Sequence, residues 1–311
     1  MDLNIYSQRL PKRGETVTGG VFKQFLGGKG ANQAVASVRS GAKTAFIGKI
    51  GRDAFGKEMI SQLSEEGVNI DYIIRDPQES SGVAFILIDE HGENMISVAP
   101  GANFKLSPEE IQKNSNLIKN AKCLVVQMEI PIDTIETIFQ IAAEGEVIKI
   151  LNPAPLKPIN KSILSNIDII IPNEGELLQL HSLLKLKDLD GENISMIIQA
   201  SKNISKFGLK TVITTLGKKG CIIYDTETDK IIEIPAFKIQ AIDTVGAGDC
   251  FNGVLASKLC QGENLIASAK YATAAASIAI TRQGAQASMP YQKEIENRFK
   301  QYKANYSVQI R

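Results

Sequence analysis

The sequence predicts an α/β protein of three αβα layers around a mainly parallel sheet, with a small antiparallel flap at one end. Two observations predict it. From residue 28 onward, short apolar runs alternate with helical stripes, the pattern of βα units that build a parallel sheet covered by helices on both faces. Two stretches break this rhythm: residues 2–24 are polar and turn-rich, and GVAFILIDEHGENMISVA (82–99) reads as two strand-like runs around a turn.

Taken in order, Ala31, Ala34, Val35 and Val38 recur at i, i+3, i+4 and i+7, so residues 29–39 are expected to be a helix. TAFIGKI (44–50) is a short apolar run suited to a buried strand. Ser107-Pro108-Glu109-Glu110 opens a helix with a capping box and a proline at its first position. CLVVQM (123–128), VIKILN (147–152), DIIIPN (168–173) and TVITTL (211–216) are further buried strands, with helical segments between them. Phe251, Val254, Leu255 and Leu259 then have helical spacing behind a glycine turn at Gly246–Gly248.

The 311 residues are 43% hydrophobic, ample for a large core, and the net charge is +1. That balance leaves no electrostatic footprint for nucleic acid or an anionic membrane. No apolar run approaches the ~20 residues of a membrane helix, and MDLNIYSQRLPKRGE lacks the apolar centre of a signal peptide. A cytoplasmic enzyme of small molecules is the expectation. Cys123, Cys221, Cys250 and Cys260 are scattered without a C-x-x-C pair and read as reduced thiols. His91 and His181 have no spaced partner, so neither a zinc site nor a histidine-based triad is expected. Proton chemistry must then come from carboxylates.

The sharpest segment is DTVGAGDCF (243–251), where Gly246, Ala247 and Gly248 stand at a helix N-terminus. Small residues there let backbone N–H groups face a ligand, and the helix dipole attracts an anion such as a phosphoryl group. Asp249, an acid in the first turn, is favoured in its charged form by the same dipole and could accept a proton from an attacking hydroxyl. The plain alternative is a glycine turn with a helix-favouring acid. There is no G-x-x-x-x-G-K-[ST] loop, and Phe251 stands where a G-x-G-x-x-G motif needs its last glycine.

GGKGANQA (27–34) again sets glycines before a helix; Asn32 offers donor and acceptor to a sugar hydroxyl, or is a surface amide. Glu129 ends a strand, where ligands of open α/β sheets bind, or is a solvated acid. Asn173 and Glu176, three apart, suit water-bridged Mg²⁺ beside a triphosphate, or simply cap a helix. Thr215, Gly217 and Gly220 bound a strand-end turn that admits a nucleotide or is an ordinary hairpin.

In order along the chain, RLPKRGETVTGG, GGKGANQA, TAFIGKIGRDAFG, SSGVAFILIDEHGENMISVAPGAN, LNPAP, PNEGE, TTLGKKG, DTVGAGD and TRQGAQAS resemble the blocks of the ribokinase family of carbohydrate kinases. Nine blocks in register cover nearly the whole chain, and GGKGANQA with GENMISVAPGAN stands nearer to the ribose kinases than to fructokinase-like or adenosine kinase-like relatives. The resemblance implies a Rossmann-like core (26–80 and 100–311) with a β-lid over the sugar (1–25 and 81–99), often dimeric through that lid. It implies Asp249 as catalytic base and the amides of Gly246, Ala247 and Gly248 as anion hole. Asp2, Gly28, Asn32 and Glu129 match sugar-contacting positions. Asn173 and Glu176 match the metal and phosphate motif, Thr215, Gly217 and Gly220 positions around ATP, and Thr273 a position near the adenine. A potassium site is also implied: the side chains of Asp243 and Ser288 with carbonyls of Val245, Ala279, Arg282 and Gly284.

The implied reaction is ATP-dependent phosphorylation of ribose to ribose 5-phosphate, aided by Mg²⁺ and K⁺. A 2-deoxyribose kinase would need the same blocks, and a sugar-binding protein without turnover is the reading from another class. One departure concerns the start. The family opens with an apolar strand ending near Asn-x-Asp, whereas Met1-Asp2 here occupies the last two of those positions. A first core strand is therefore expected to be missing, through a shortened start.

Overall fold

The structure, a computed structural model, describes residues 1–305 and 308–311. Its strands are β1 (Asp2–Tyr6), β2 (Val21–Phe25), β3 (Gly48–Gly51), β4 (Ile73–Asp76), β5 (Val83–Ile88), β6 (Asn94–Ala99), β7 (Cys123–Val126), β8 (Ile148–Leu151), β9 (Ile169–Ile170), β10 (Thr211–Thr215), β11 (Cys221–Asp225), β12 (Lys230–Ile234) and β13 (Gln309–Ile310). The central sheet runs β13-β12-β11-β10-β9-β8-β7. Its parallel half, β7 to β10, is continued by antiparallel β11, β12 and β13.

Side chains alternate across this sheet with the two-residue period of a strand. Ile150, Ile213 and Ile223 enter one core with the helices Lys29–Arg39, Ala247–Cys260 and Leu265–Ala279. Their neighbours Leu151, Val212 and Ile222 enter the other, with Ile132–Ala143, Glu174–Leu183 and Ile194–Ser205. Both faces are thus covered, which explains why the strands read as continuous apolar runs. Each fully buried aliphatic or aromatic side chain, such as Phe139 or Ile150, contributes roughly 1.5–3 kcal/mol of transfer free energy.

The expected helix over 29–39 forms as Lys29–Arg39, and the capping box at Ser107 closes in both directions with Glu110. TAFIGKI departs from expectation. The strand is confined to Gly48–Gly51 and pairs with β4 as a separate two-stranded sheet. Ahead of it the Phe46 ring folds over Gly48, so close that a Cβ at Gly48 would stand 2.8 Å from the ring. Among the described residues no strand joins β3 to β7.

The flap is a four-stranded sheet, β2-β1-β5-β6. The expectation of a purely antiparallel flap is corrected here: β1 and β5 are parallel, from Asp2↔Ala84 to Tyr6↔Ile88. A long connection separates these two strands, and both leave the core in the same direction, a crossover pairing that composition does not reveal. Within 2–24, read as polar and turn-rich, β1 and β2 pair antiparallel. Phe22, Phe85, Met95, Ile96 and Val98 are exposed on this sheet. All four cysteines are free thiols. Among the described residues no helix is long and apolar enough to cross a membrane.

Candidate active site

The Ala247–Cys260 helix begins at Gly246, whose φ of 75° is left-handed and favours glycine. A Cβ there would also stand 3.1 Å from Ala285 Cα, so the turn is pressed against the segment before Ser288. No side chain caps this helix. The Ala247 amide donates to Thr244 O at 3.2 Å. The resemblance names three amides as the anion hole; of these, that of Ala247 is engaged in the turn with Thr244.

Asp249, in the first turn, is 7% exposed. Both its oxygens accept hydrogen bonds from one helix: Asn32 Nδ2 donates to Oδ2 and Gln33 Nε2 to Oδ1, each at 2.9 Å. The two helices can approach this closely because of Gly253. A Cβ at that position would lie 2.3 Å from Gln33 O and 2.8 Å from Ala36 Cβ. Gln33 is a residue that sequence reasoning missed. Asn32 stands out because its amide offers donor and acceptor to a hydroxyl, which is equally true of the next residue; the paired amides of Asn32-Gln33 beside a glycine turn are the available signal.

Asp2, Gly28, Asn32 and Glu129 gather around the same carboxylate. Gly28 caps the Lys29–Arg39 helix with a φ of 91°, and Gly27 leaves room for Asp2, whose Oδ2 lies 2.1 Å from where a Cβ would be. Glu129 Oε2 accepts from the Lys29 amide at 2.9 Å. Burial pushes Glu129 above the usual carboxylate range; the Lys29 amide and charge oppose this, and the charges of Asp249 and Asp2 add to it. Burial likewise pushes Asp2 up, against the pull of the N-terminal ammonium, and Asp249 adds repulsion. These residues bring several acceptors together, which suits a ligand rich in hydroxyl donors.

Asn173 and Glu176 form a full capping box at the start of Glu174–Leu183: Asn173 N donates to Glu176 Oε2 and Glu176 N to Asn173 Oδ1, both at 2.8 Å. Burial pushes Glu176 up, opposed by the Asn173 amide and Lys29, and raised further by Asp249. Glu176 thus shares an electrostatic environment with Asp249. Thr215 ends β10 and bridges to Asn173. Gly217 and Gly220 shape the hairpin turn into β11 with φ of 54° and 101°. Thr273 reaches the side chain of Cys221, the residue after Gly220. It is buried, and its Oγ1 donates to Ala269 O at 2.8 Å within its own helix, so its hydroxyl donor is not offered to a nucleotide.

Asp243 ties two loops together: Oδ1 accepts from Val245 N and Oδ2 from Gly284 N, each at 2.9 Å. The carbonyl of Ala279 accepts from the Arg282 amide at 3.0 Å. Ser288 is fully buried, with Oγ donating to Ala285 O at 2.8 Å. Asp243, Val245, Gly284 and Ser288 are thereby assembled beside the turn that carries Gly246.

Comparison with known proteins places this arrangement. The sequence pattern of the pfkB family carbohydrate kinases spans residues 1–292. A ribokinase of Haemophilus influenzae is 40% identical over 91% of this chain and 90% of its own. A deoxyribokinase of Salmonella typhi is 34% identical over 93% and 92%. The structure of Thermotoga maritima ribokinase superposes with a TM-score of 0.87 at 34% identity, covering 96% of both chains. Arabidopsis thaliana ribokinase, complexed with ribose and ATP, superposes with a TM-score of 0.88 at 31% identity over 96% of this chain and 95% of its own. With fold, helix-start acid and sequence pattern in agreement, the chain belongs to the pfkB family of carbohydrate kinases.

Proposed function

We propose that this kinase transfers the terminal phosphoryl group of ATP to the primary hydroxyl of ribose, yielding ribose 5-phosphate and ADP in the cytoplasm. The observation that carries the reading is the meeting of Asp249 with Asn32 at the uncapped start of the Ala247–Cys260 helix. The names of the Haemophilus, Thermotoga and Arabidopsis relatives support ribose. The Salmonella deoxyribokinase supports 2-deoxyribose as the second reading, since one missing hydroxyl would leave this geometry intact.

Asp2, Gly28, Asn32 and Glu129 orient the sugar beneath the lid (1–25 and 81–99), against the core (26–80 and 100–311). The hydroxyl oxygen attacks the γ-phosphorus as its proton passes to Asp249, and ADP leaves on the opposite side. Phosphoryl transfer has a loose transition state, so aiming the oxygen and neutralising charge matter more than base strength. The amides of Gly246 and Gly248, with the helix dipole, stabilise charge on the phosphoryl oxygens. Gly217, Gly220 and Thr215 make room for the nucleotide.

Glu176, half-buried with one oxygen left by its capping bond, fits a water-bridged Mg²⁺, which when bound neutralises the triphosphate. Asp243 and Ser288, with the carbonyls of Val245, Ala279, Arg282 and Gly284, offer the oxygen-only set that suits a hard cation such as K⁺. The ion's expected effect is to order the Gly246 turn. The exposed apolar lid sheet supports a homodimer through the lid.

ADP release with ribose and with 2-deoxyribose, each in K⁺ and in Na⁺ buffer, tests the reading. Faster K⁺-dependent turnover of ribose is expected. Preference for 2-deoxyribose would move the assignment to the second reading, and equal rates in the two salts would remove the potassium site.

A further inference from the structure

The polar side chains behind the candidate base form a connected chain. Gln127 Nε2 donates to Gln33 Oε1 at 2.6 Å. Gln33 Nε2 donates both to Asp249 Oδ1 at 2.9 Å and to Asn152 Oδ1 at 3.1 Å. Asn152 in turn donates to Ile171 O at 2.9 Å, anchoring the chain just beyond β9. Because an ionised Asp249 carboxylate can only accept, the Gln33 amide has one orientation, with its NH₂ toward Asp249 and Asn152 and its oxygen toward Gln127.

Asn32 and Gln33 are both deeply buried and both donate to Asp249, yet they differ in what they hold back. Asn32 Oδ1 is buried without a partner, so Asn32 keeps an acceptor for an incoming hydroxyl. Gln33 has both the nitrogen and the oxygen of its amide engaged by protein and is 3% exposed, so it has nothing to give a ligand. A buried amide wholly satisfied by the protein acts through the groups it holds.

We infer that Gln33 is a positioning residue: held by Gln127 and Asn152, it sets the orientation of the Asp249 carboxylate toward the attacking hydroxyl. The inference rests on the proposed role of Asp249 as base. Removal of Gln33 leaves one oxygen of that carboxylate unheld and so acts on the chemical step, while removal of Asn32 acts on sugar binding as well. The other charged groups that act on this carboxylate's surroundings, Lys29, Asp2, Glu129 and Glu176, remain unchanged in the variant.

The test is steady-state kinetics of the full chain with ribose, with folding followed by circular dichroism. Gln33→Met keeps length and apolar volume but donates nothing. It is expected to lower kcat about 10- to 100-fold with ribose KM within about threefold. Asn32→Ala is expected to raise ribose KM. Should Gln33→Met fail to fold, Gln127→Leu releases the amide without touching Asp249, and a smaller loss of kcat at unchanged KM is expected. Asp249→Asn run in parallel separates the two claims. If Asp249→Asn is inactive while folded Gln33→Met or Gln127→Leu keeps the parent kcat, the positioning role is overturned and the base stands. If Asp249→Asn turns over normally, the base assignment itself is overturned and the positioning role falls with it.

Discussion

Asn32 Nδ2 stands 2.9 Å from Asp249 Oδ2, joining side chains 217 positions apart in sequence. Each lies within the first turns of its helix, and a glycine turn precedes each helix. The contact exists because two helices that face the same core cluster pack backbone to backbone.

Gly253 makes that approach possible, so Gly253→Ala is expected to disturb Asp249 without altering any of the side chains around it. Its Cβ would fall 2.3 Å from Gln33 O, a backbone atom, and the helices must separate. A loss of about 1–3 kcal/mol of stability is expected, together with reduced kcat. Thermal melting with kinetics checks this; a variant matching the parent in both would show that the close packing is not needed.

Arg39 ends the first helix and links it to the segment that contains Ser288. Its side chain pairs with Glu66, Nε to Oε2 at 2.8 Å, and donates to the carbonyls of Gln286 at 3.1 Å and Met289 at 2.7 Å. Arg and Glu side chains are 9% and 10% exposed. Arg39→Met leaves Glu66 buried without its cation, which is expected to cost about 3–5 kcal/mol. Arg39→Met with Glu66→Leu should recover much of that loss, and denaturant titration of both variants measures it.

Glu129 gives a pH signature. Its folded carboxyl is held above the ordinary 4.5, with burial as the chief cause. An acid with a raised folded value binds its proton more tightly folded than unfolded. Its stabilising contribution is complete below the ordinary value and is lost as pH rises through the raised one. Glu129→Gln is therefore expected to melt higher than the parent near neutral pH and level with it in acid, while binding ribose more weakly. An equal offset at both pH values would contradict the burial argument.

The lid offers an apolar row, Phe22–Ile5–Leu87–Met95, aligned across β2, β1, β5 and β6. Phe22 and Met95 are 59% and 52% exposed. If this row is covered by a second copy, Phe22→Asp with Met95→Asp should convert a dimer to a monomer in sedimentation velocity. An unchanged sedimentation coefficient would rule out that face.

Local rules made part of this molecule legible. The stripe at Ala31, Ala34, Val35 and Val38 produced the Lys29–Arg39 helix, and the boxes at Ser107 and Asn173 closed as their spacing requires. Gly-Ala-Gly ahead of an apolar helical stripe located Asp249 at a helix start. What depends on distant packing was not legible. The parallel pairing of β1 with β5 comes from a crossover; the Phe46 ring folded over Gly48 lies just where the shortened strand begins. The second amide on Asp249 comes from an interhelical contact at Gly253, and no periodicity carries that information.

The most direct test of the central claim is ADP release from ATP and ribose by Asp249→Asn beside the parent, with ribose binding followed by calorimetry. The account predicts that the variant binds ribose and loses about 10²–10⁴-fold in kcat. A folded variant that turns ribose over within about tenfold of the parent would contradict the assignment of Asp249 as the group that takes the proton.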